Sequence, residues 1–203
     1  PPSDADTRAA VEGAAKLLGE LGHHVEEWEP NIPASFQEDF LDYWAFLAYN
    51  TAAGGKRLFH KDFDASKLDP FTLGLARRGK RRLAHAPVFL SRLQASSKVY
   101  DRQMAKGPDV VLSPVLGHIT PEIGHLAGDL DFETHMERVL KYCCFTPLHN
   151  ATGAPAISLP LGATADGLPV GVMVSGRGGG ENTLLRLALQ VEKAQPFRRL
   201  DTV

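Results

Sequence analysis

Two adjacent cysteines are the first candidates for chemistry in this sequence. Cys143 and Cys144 are its only cysteines, and His149 follows them closely along the chain. A thiolate beside a histidine can act as a nucleophile, with His149 or His135 as the base. The alternative is that both cysteines are small buried hydrophobic residues, since nothing in the sequence indicates a lowered thiol pKa. The buried role is the interpretation we favour.

The same cysteines bear on the compartment of the protein. Neighbouring residues rarely reach disulfide geometry without strain, so we expect no disulfide and predict a reducing, cytoplasmic compartment. The opening residues Pro-Pro-Ser-Asp do not resemble a signal peptide, and the longest apolar run is too short for a membrane span. With 22 Lys and Arg against 24 Asp and Glu, the formal net charge is −2. This balance creates no basic field, so we predict neither nucleic-acid nor membrane partners.

Three residues in one predicted loop are of types that ligate metals. His118, Glu122 and His125 lie close together in a segment that Pro121 and Gly124 interrupt. A zinc site usually needs a fourth group and a spacing that a turn or a helix fixes, and the sequence indicates neither. We therefore interpret the three residues as part of a surface loop and predict no metal ion or other cofactor.

A cluster of cations is the third candidate. Its members fall within six positions of one predicted helix: Arg77, Arg78, Lys80, Arg81 and Arg82. Such a cluster could hold a phosphate or an acidic substrate. Because no aromatic residues interleave with the cations, a solvated helix end is the simpler interpretation.

The run Ser96-Ser97-Lys98 combines a nucleophile and a base that cooperate in some hydrolases. At consecutive positions of a predicted helix, these side chains point to different faces and cannot form a relay among themselves. No glycines flank them to offer backbone N–H groups to an oxyanion. We therefore predict that they lie on a helix surface.

The glycine-rich stretch from Ser175 to Gly180 has the outline of a phosphate cradle between a strand and a helix. It lacks the Lys-Ser/Thr pair that follows the last glycine of a P-loop, and it does not match G-x-G-x-x-G in full. We predict a tight strand-to-helix turn at this position.

The spacing of apolar residues and the positions of Pro and Gly predict the elements that hold these candidates. Helices are expected over 4–21, 36–53, 71–83, 87–104, 131–142 and 181–194. Short strands are expected over 24–28, 109–113, 155–160 and 168–174, with loops over 56–69 and 114–130. Helices that alternate with short buried strands predict the α/β class.

Residues 145–197 carry a more specific pattern. It consists of Phe145-Thr146, Asn150-x-Thr152-Gly153-x-Pro155-Ala156-x-Ser158-x-Pro160-x-Gly162, Gly167-Leu168-Pro169-Val170-Gly171 and Leu184-Leu185-x-Leu187-Ala188 followed by Glu192. This pattern resembles the carboxy-terminal part of the amidase signature family. Residues 21–26 and 109–114 agree with the family more loosely. The sequence of 143–175 is similar to that of the subgroup of cyclic amide and nylon-oligomer hydrolases.

The resemblance implies an α/β/α fold around a central mixed sheet and hydrolysis of a carboxamide by a Ser–cis-Ser–Lys triad through an acyl-enzyme. The family's G-G-S-S-G-G-type segment is absent from this sequence, because the triad belongs to the amino-terminal half. We therefore assign no catalytic residue here. Residues 1–203 are expected to form the carboxy-terminal portion of one amidase domain. Within it, 1–130 would be a helical region with short strands and 131–203 a strand-strand-helix core. A truncation, a proteolytic product and a split-enzyme subunit all remain open.

By position in the family, Cys143, Phe145 and Thr146 are expected to line the substrate pocket, with core packing as the alternative for Thr146. In the family's glutamine-using branch an acidic residue stands where Cys143 stands, so the thiol favours a less polar amide. The implied partners are a small-molecule amide and the missing amino-terminal half. A sheet cut within a domain leaves an unpaired edge and an uncovered apolar face, so we also expect the isolated chain to form homo-oligomers or to retain that half.

Two other functions stay open at this point. One is a catalytically silent binding or regulatory module that keeps the amidase fold. The other is an independent cysteine hydrolase that uses Cys143 or Cys144 as its nucleophile.

Overall fold

A computed structural model describes residues 2–197 of the chain. These residues form two compact units. The sheet unit comprises 2–31, 97–121 and 141–197, and the helical unit comprises 32–96 and 122–140. Within the described residues, no helix combines the length and the hydrophobicity that a bilayer span requires.

The sheet unit contains three strands in the order β1-β3-β2, and both neighbouring pairs are antiparallel. They are β1 (Val111–Pro114), β2 (Ala156–Ala163) and β3 (Pro169–Ser175). Helices and a sheet in one chain confirm the predicted α/β class. The parallel pairing that a mixed sheet also contains does not occur among these three strands.

One face of the sheet packs against two helices, α1 (Ala5–Glu20) and α7 (Glu181–Ala194). Val172 and Val174 of β3 are buried in this layer and are among the least exposed side chains. Each buried valine contributes about 1.5–3 kcal/mol to folding. The far side of α7 stays uncovered, since Leu185 and Leu189 are 57% and 66% exposed.

The opposite face of the sheet is covered in part by α4 (Ala86–Met104) and α6 (Pro147–Thr152). Tyr100 and Met104 from the second half of α4 pack there, and Leu148 of α6 joins them. Helix α6 is not among the helices predicted from the sequence. Its signals are a proline in the first turn and Gly153 after the last turn, where φ is +71°.

Strand β2 forms one outer edge of the sheet and is irregular. Its register against β3 shifts between Leu159 and Gly162, which marks a β-bulge. Pro160, which has no N–H to donate, lies at this bulge and is exposed. The predicted strand ended at Pro160, whereas the observed strand continues past it to Ala163.

The helical unit contains α2 (Phe36–Leu58), α3 (Pro70–Arg82), the first half of α4 and most of α5 (Phe132–Tyr142). Its core consists of Ala45, Ala48, Phe71, Leu75, Ala76 and Met136. Helix α2 was predicted to end before Gly54, but it continues to Leu58. Gly55 does not end the helix; its lack of a side chain lets another residue pack closely against it. A Cβ at Gly55 would lie 2.2 Å from the ring of Phe63.

The strand predicted over 24–28 is wrong. These residues have no regular secondary structure and belong to no strand of the sheet. Alternation of apolar and polar residues predicts an extended backbone, but a strand also needs a hydrogen-bonded neighbour. Within the described part of the chain, residues 24–28 have none.

An ion-pair network joins α2 to α3. Asp42 is only 1% exposed, and its two carboxylate oxygens accept hydrogen bonds from Arg78 and Arg82, each at 2.7 Å at its shortest. Arg82 also lies 3.3 Å from the exposed carboxylate of Glu38. The basic cluster is therefore not simply a solvated helix end, since two of its members neutralise a buried carboxylate.

Replacement of Asp42 by alanine should destabilise the helical unit by about 1–3 kcal/mol, because both guanidinium groups lose a charge-assisted partner but can still reach water. Urea unfolding followed by circular dichroism measures the change. Glu38→Ala is the matched control, and its exposed ion pair should contribute less than about 1 kcal/mol. Equal losses in the two variants would contradict the role assigned to Asp42.

Candidate functional site

The three residues expected to line a pocket lie in the short connection between α5 and α6. Cys143, Phe145 and Thr146 are all partly buried, as is Cys144. Within residues 2–197, Phe145 belongs to none of the apolar clusters that form the cores. The side chain of Thr146 makes no capping hydrogen bond to α6.

The connection is held in place by Gly117, in the loop that follows β1. The Gly117 N–H donates to the carbonyl oxygen of Tyr142 at 2.8 Å. A Cβ at position 117 would lie 2.0 Å from the carbonyl oxygen of Lys141 and 2.9 Å from Sγ of Cys144. Only glycine permits this approach, which brings the loop against the cysteine pair.

Asp4, which caps α1, fixes the other side of the same loop. Its own N–H donates to the carbonyl oxygen of Gly117 at 3.0 Å. Its carboxylate accepts hydrogen bonds from the N–H groups of Thr7 at 2.8 Å and Ile119 at 2.9 Å. Burial opposes ionisation of Asp4, but these hydrogen bonds outweigh it and hold the pKa of the carboxyl below its ordinary value.

Sequence reasoning missed the structural roles of Gly117 and of the Asp4 link. Asp4 was recognisable as a helix cap, and Gly117 as one glycine of a Pro- and Gly-rich loop. Neither pattern indicates that the two residues meet, because they are separated by more than half of the chain.

His118 is part of this packing. Its ring lies against that of Tyr142, with centroids 4.7 Å apart. Its Nδ1 is 2.8 Å from the carbonyl oxygen of Ile119, and that nitrogen must donate because a carbonyl only accepts.

The other two residues considered as metal ligands, Glu122 and His125, belong to the helical unit. Among residues 2–197, no group of three or more His, Cys, Asp and Glu side chains is placed to hold a metal ion.

The two thiols are in a poor environment for a nucleophile. Burial raises the pKa of Cys143 and of Cys144 above the ordinary value, so both thiols are protonated at neutral pH. A cysteine nucleophile needs the opposite shift. The structure therefore favours the interpretation of these cysteines as small, neutral, partly buried side chains.

The two histidines considered as bases lie in different surroundings. Burial lowers the pKa of His149, so its ring is neutral at neutral pH. Its ring packs edge-on to Tyr100, with centroids 6.0 Å apart, and its Nδ1 is buried without a hydrogen-bond partner. His135 belongs to the helical unit, where it stacks on Phe71 at 4.3 Å.

The glycine-rich turn before α7 is not an open phosphate cradle. Its Gly178 N–H donates to the carboxylate of Asp101 at 3.0 Å. An anion at this position would meet that carboxylate, so the predicted tight turn is the better description.

The prediction that Ser96 lies on a helix surface is wrong, because Ser96 is buried and its hydroxyl donates to the carbonyl oxygen of Leu93 at 2.6 Å.

Comparison with known proteins places this arrangement in a family. The family profile named Amidase matches residues 2–185. "Putative amidase AmiC" of Mycobacterium tuberculosis H37Rv is 44% identical over 187 residues, which cover 92% of this chain and 39% of that protein. The 6-aminohexanoate-cyclic-dimer hydrolase of Pseudomonas sp. NK87 is 30% identical over 203 residues, which cover 96% of this chain and 41% of that protein.

Solved structures agree with these relatives. The structure of 6-aminohexanoate cyclic dimer hydrolase complexed with substrate superposes with a TM-score of 0.84 at 28% identity, over 97% of this chain and 43% of that one. A bacterial aryl acylamidase of the amidase signature enzymes shares the fold, with a TM-score of 0.69 at 19% identity, over 97% of this chain and 41% of that one. The chain spans about two fifths of the length of the curated relatives it matches.

Replacement of Gly117 by alanine should destabilise the sheet unit by about 1–3 kcal/mol, since the added methyl group overlaps the carbonyl of Lys141. Chemical denaturation measures the loss. Gly13→Ala in α1 is the control, because nothing lies within 4 Å of its Cβ and alanine favours a helix by about 1 kcal/mol. If the two variants have the same stability, the close approach at Gly117 is not a constraint.

Both thiols should react slowly with iodoacetamide, because the pKa of each is raised and only the thiolate attacks. At pH about 8.5, where an ordinary thiol is half ionised, peptide mapping should give rates below that of free cysteine, and the rates should keep rising at higher pH. In denaturant both should reach the free rate. Faster labelling in the folded chain would mean that a thiolate is stabilised.

Proposed function

The chain belongs to the amidase family, and we propose on that premise that it forms the carboxy-terminal part of an enzyme that hydrolyses the carbon–nitrogen bond of a carboxamide. The half-buried connection from Cys143 to Thr146 forms part of the pocket wall in this proposal. The nucleophilic serine, the bridging serine and the lysine come from residues outside these 203, as the resemblance to the family implies. The chain alone is then inactive.

The observation that carries the proposal is the neutrality of this connection and of His149 in α6. Burial raises the thiol pKa at Cys143 and Cys144 and lowers the pKa of His149, so each group is uncharged at neutral pH. A wall of neutral, weakly polar groups suits an uncharged amide, because a charged substrate would lose its hydration there without gaining a partner. We therefore propose an amide without a charged group next to its acyl carbon.

Phe145 and Thr146 serve this pocket in different ways. Phe145 is partly exposed outside the apolar clusters and offers an aromatic surface to the apolar part of a substrate. Thr146 has a hydroxyl that does not cap α6, so it can donate to or accept from the amide group. The loop at Gly117 positions the connection and takes no part in the chemistry.

The partners follow from the same proposal. The exposed Leu185 and Leu189 on α7, and the two outer edges of the sheet, are surfaces that the remaining part of the protein would cover. A second copy of the chain is the alternative cover, and it would make the protein a homo-oligomer. With both cysteines free, we assign the protein to the cytoplasm.

The experiment compares the chain alone with the chain co-expressed with the upstream part of its own reading frame. We expect hydrolysis of an uncharged linear or cyclic amide only in the second case, measured as amine release. In the assembled protein, Cys143→Asp should lower kcat/KM for that amide at least about tenfold, since a charge enters a partly buried wall. Cys143→Ser, which stays neutral, is the matched control.

Turnover by the purified 203-residue chain alone would contradict the proposal. An upstream frame without a serine-rich, glycine-rich segment would favour a catalytically silent module instead. If Cys143→Asp and Cys143→Ser behave alike, position 143 does not face the substrate.

A further inference from the structure

Cys143 and Cys144, which we call the thiol pair, are the only cysteines of the sequence, and both are free and partly exposed. They are consecutive residues, so their Cα atoms lie about 3.8 Å apart across a trans peptide bond. Consecutive side chains of a strand point to opposite faces, but the thiol pair lies in no strand. The backbone bends at 143–145 instead, and this bend lets both sulfurs turn toward one ligand atom.

Packing holds one of the two sulfurs in place. A Cβ added at Gly117 would lie 2.9 Å from Sγ of Cys144, so this sulfur rests against the backbone of the loop after β1. The Gly117 N–H donates to the carbonyl oxygen of Tyr142 at 2.8 Å, which ties that loop to the residue just before the thiol pair. A ligand of the pair therefore meets a bend that the fold has already ordered.

The thiol pair is electrically neutral. Burial raises the pKa of both thiols, and the negative charge that Cys143 would carry as a thiolate raises the pKa of Cys144 further. Two thiolates side by side would repel each other in a place that is already partly buried. A ligand suits this site when it bonds to both sulfurs and leaves an uncharged product.

A disulfide and a metal cation both fit the thiol pair poorly. A disulfide usually joins Cα atoms about 4.4–6.8 Å apart, which is farther than consecutive residues allow, so closing one strains the bend. A zinc ion favours four ligands, and among residues 2–197 no group of three or more His, Cys, Asp and Glu side chains is placed to hold a cation. A ligand atom that needs only two sulfurs, and brings its own third substituent, avoids both difficulties.

We propose that the thiol pair is a binding site for a trivalent organoarsenical, R–As=O, whose soft arsenic atom bonds to both sulfurs. Two As–S bonds form and the As=O bond breaks, and the two thiol protons leave with that oxygen as one molecule of water. Arsenic stays trivalent and neither sulfur is oxidised, so the step needs no other reagent. The product carries no charge, which suits the partly buried site.

Binding also has a consequence for the enzyme, and this part of the inference rests on the proposed function. Cys143 belongs to the pocket wall in that proposal, so the substituent on arsenic would occupy space that the amide needs. We expect phenylarsine oxide to abolish amide hydrolysis by the assembled protein, and the small dithiol 2,3-dimercaptopropanol to restore it. Binding without inhibition would support the arsenical site and contradict the place given to Cys143 in the pocket wall.

The test titrates the 203-residue chain with phenylarsine oxide against 2,3-dimercaptopropanol as competitor, and intact mass measures the adduct. It is read at equilibrium, because a raised thiol pKa slows attack by the thiolate but leaves the overall neutral reaction unchanged. We expect one arsenic atom per chain. Cys143→Ser and Cys144→Ser should each raise Kd at least about a hundredfold, since the second As–S bond is an intramolecular step that a single thiol cannot make. Circular dichroism checks that both variants fold, and the thiol left in each is the matched control for simple thiol reactivity.

A synthetic peptide of residues 139–148 separates the folded site from the bare sequence. It holds both cysteines but not Gly117, so it must order the bend when it binds. The folded chain should bind phenylarsine oxide about tenfold more tightly than the peptide, and urea denaturation should remove the difference. Equal affinities of folded chain and peptide, two arsenic atoms per chain, or unchanged binding in either serine variant would overturn the proposal. Because this readout is binding to the chain alone, its failure leaves the amidase proposal standing, and a failure of amide hydrolysis leaves the arsenical site standing.

Discussion

The backbone of Gly117 is held from two directions, and the candidate site depends on this crossing. One neighbour is Asp4 at the start of α1, which donates to the glycine carbonyl. The other is Tyr142 at the end of α5, which accepts from the glycine N–H. Three segments far apart in sequence therefore meet at one residue without a side chain. Any larger residue would separate the loop after β1 from the cysteine pair.

The same packing determines what the site can do chemically. Partial removal of water from Cys143, Cys144 and His149 moves the pKa of each group in the direction that leaves it uncharged. Buried Asp42 in the helical unit has a different environment, in which Arg78 and Arg82 donate hydrogen bonds to its carboxylate. At Cys143, Cys144 and His149 the balance leaves neutral groups, which suits the uncharged amide that we propose as substrate.

Local sequence patterns were sufficient for most elements and insufficient for their contacts. The apolar periodicity of α1 and α7 and the apolar runs of β2 and β3 identified those elements within a few residues. The patterns did not distinguish a glycine that ends a helix from Gly55, which lets a phenylalanine ring approach. Nor could alternation alone distinguish a paired strand from residues 24–28, which belong to no strand of the sheet. Family membership was recoverable because many glycines and prolines with fixed backbone roles recur in order. The contacts of Gly117 with Asp4 and Tyr142, and of Asp42 with its arginines, could not be predicted from the sequence. Both sets join residues that only the fold brings together.

The bulge of β2 limits aggregation of the newly synthesised chain. Newly made polypeptides with open sheet edges can stack on one another and grow into fibrils. At β2 the edge is kinked, and Pro160 withholds a donor at that kink, so a second strand cannot extend along it in register. The β2 edge of this sheet is therefore protected by its backbone geometry against self-templated growth.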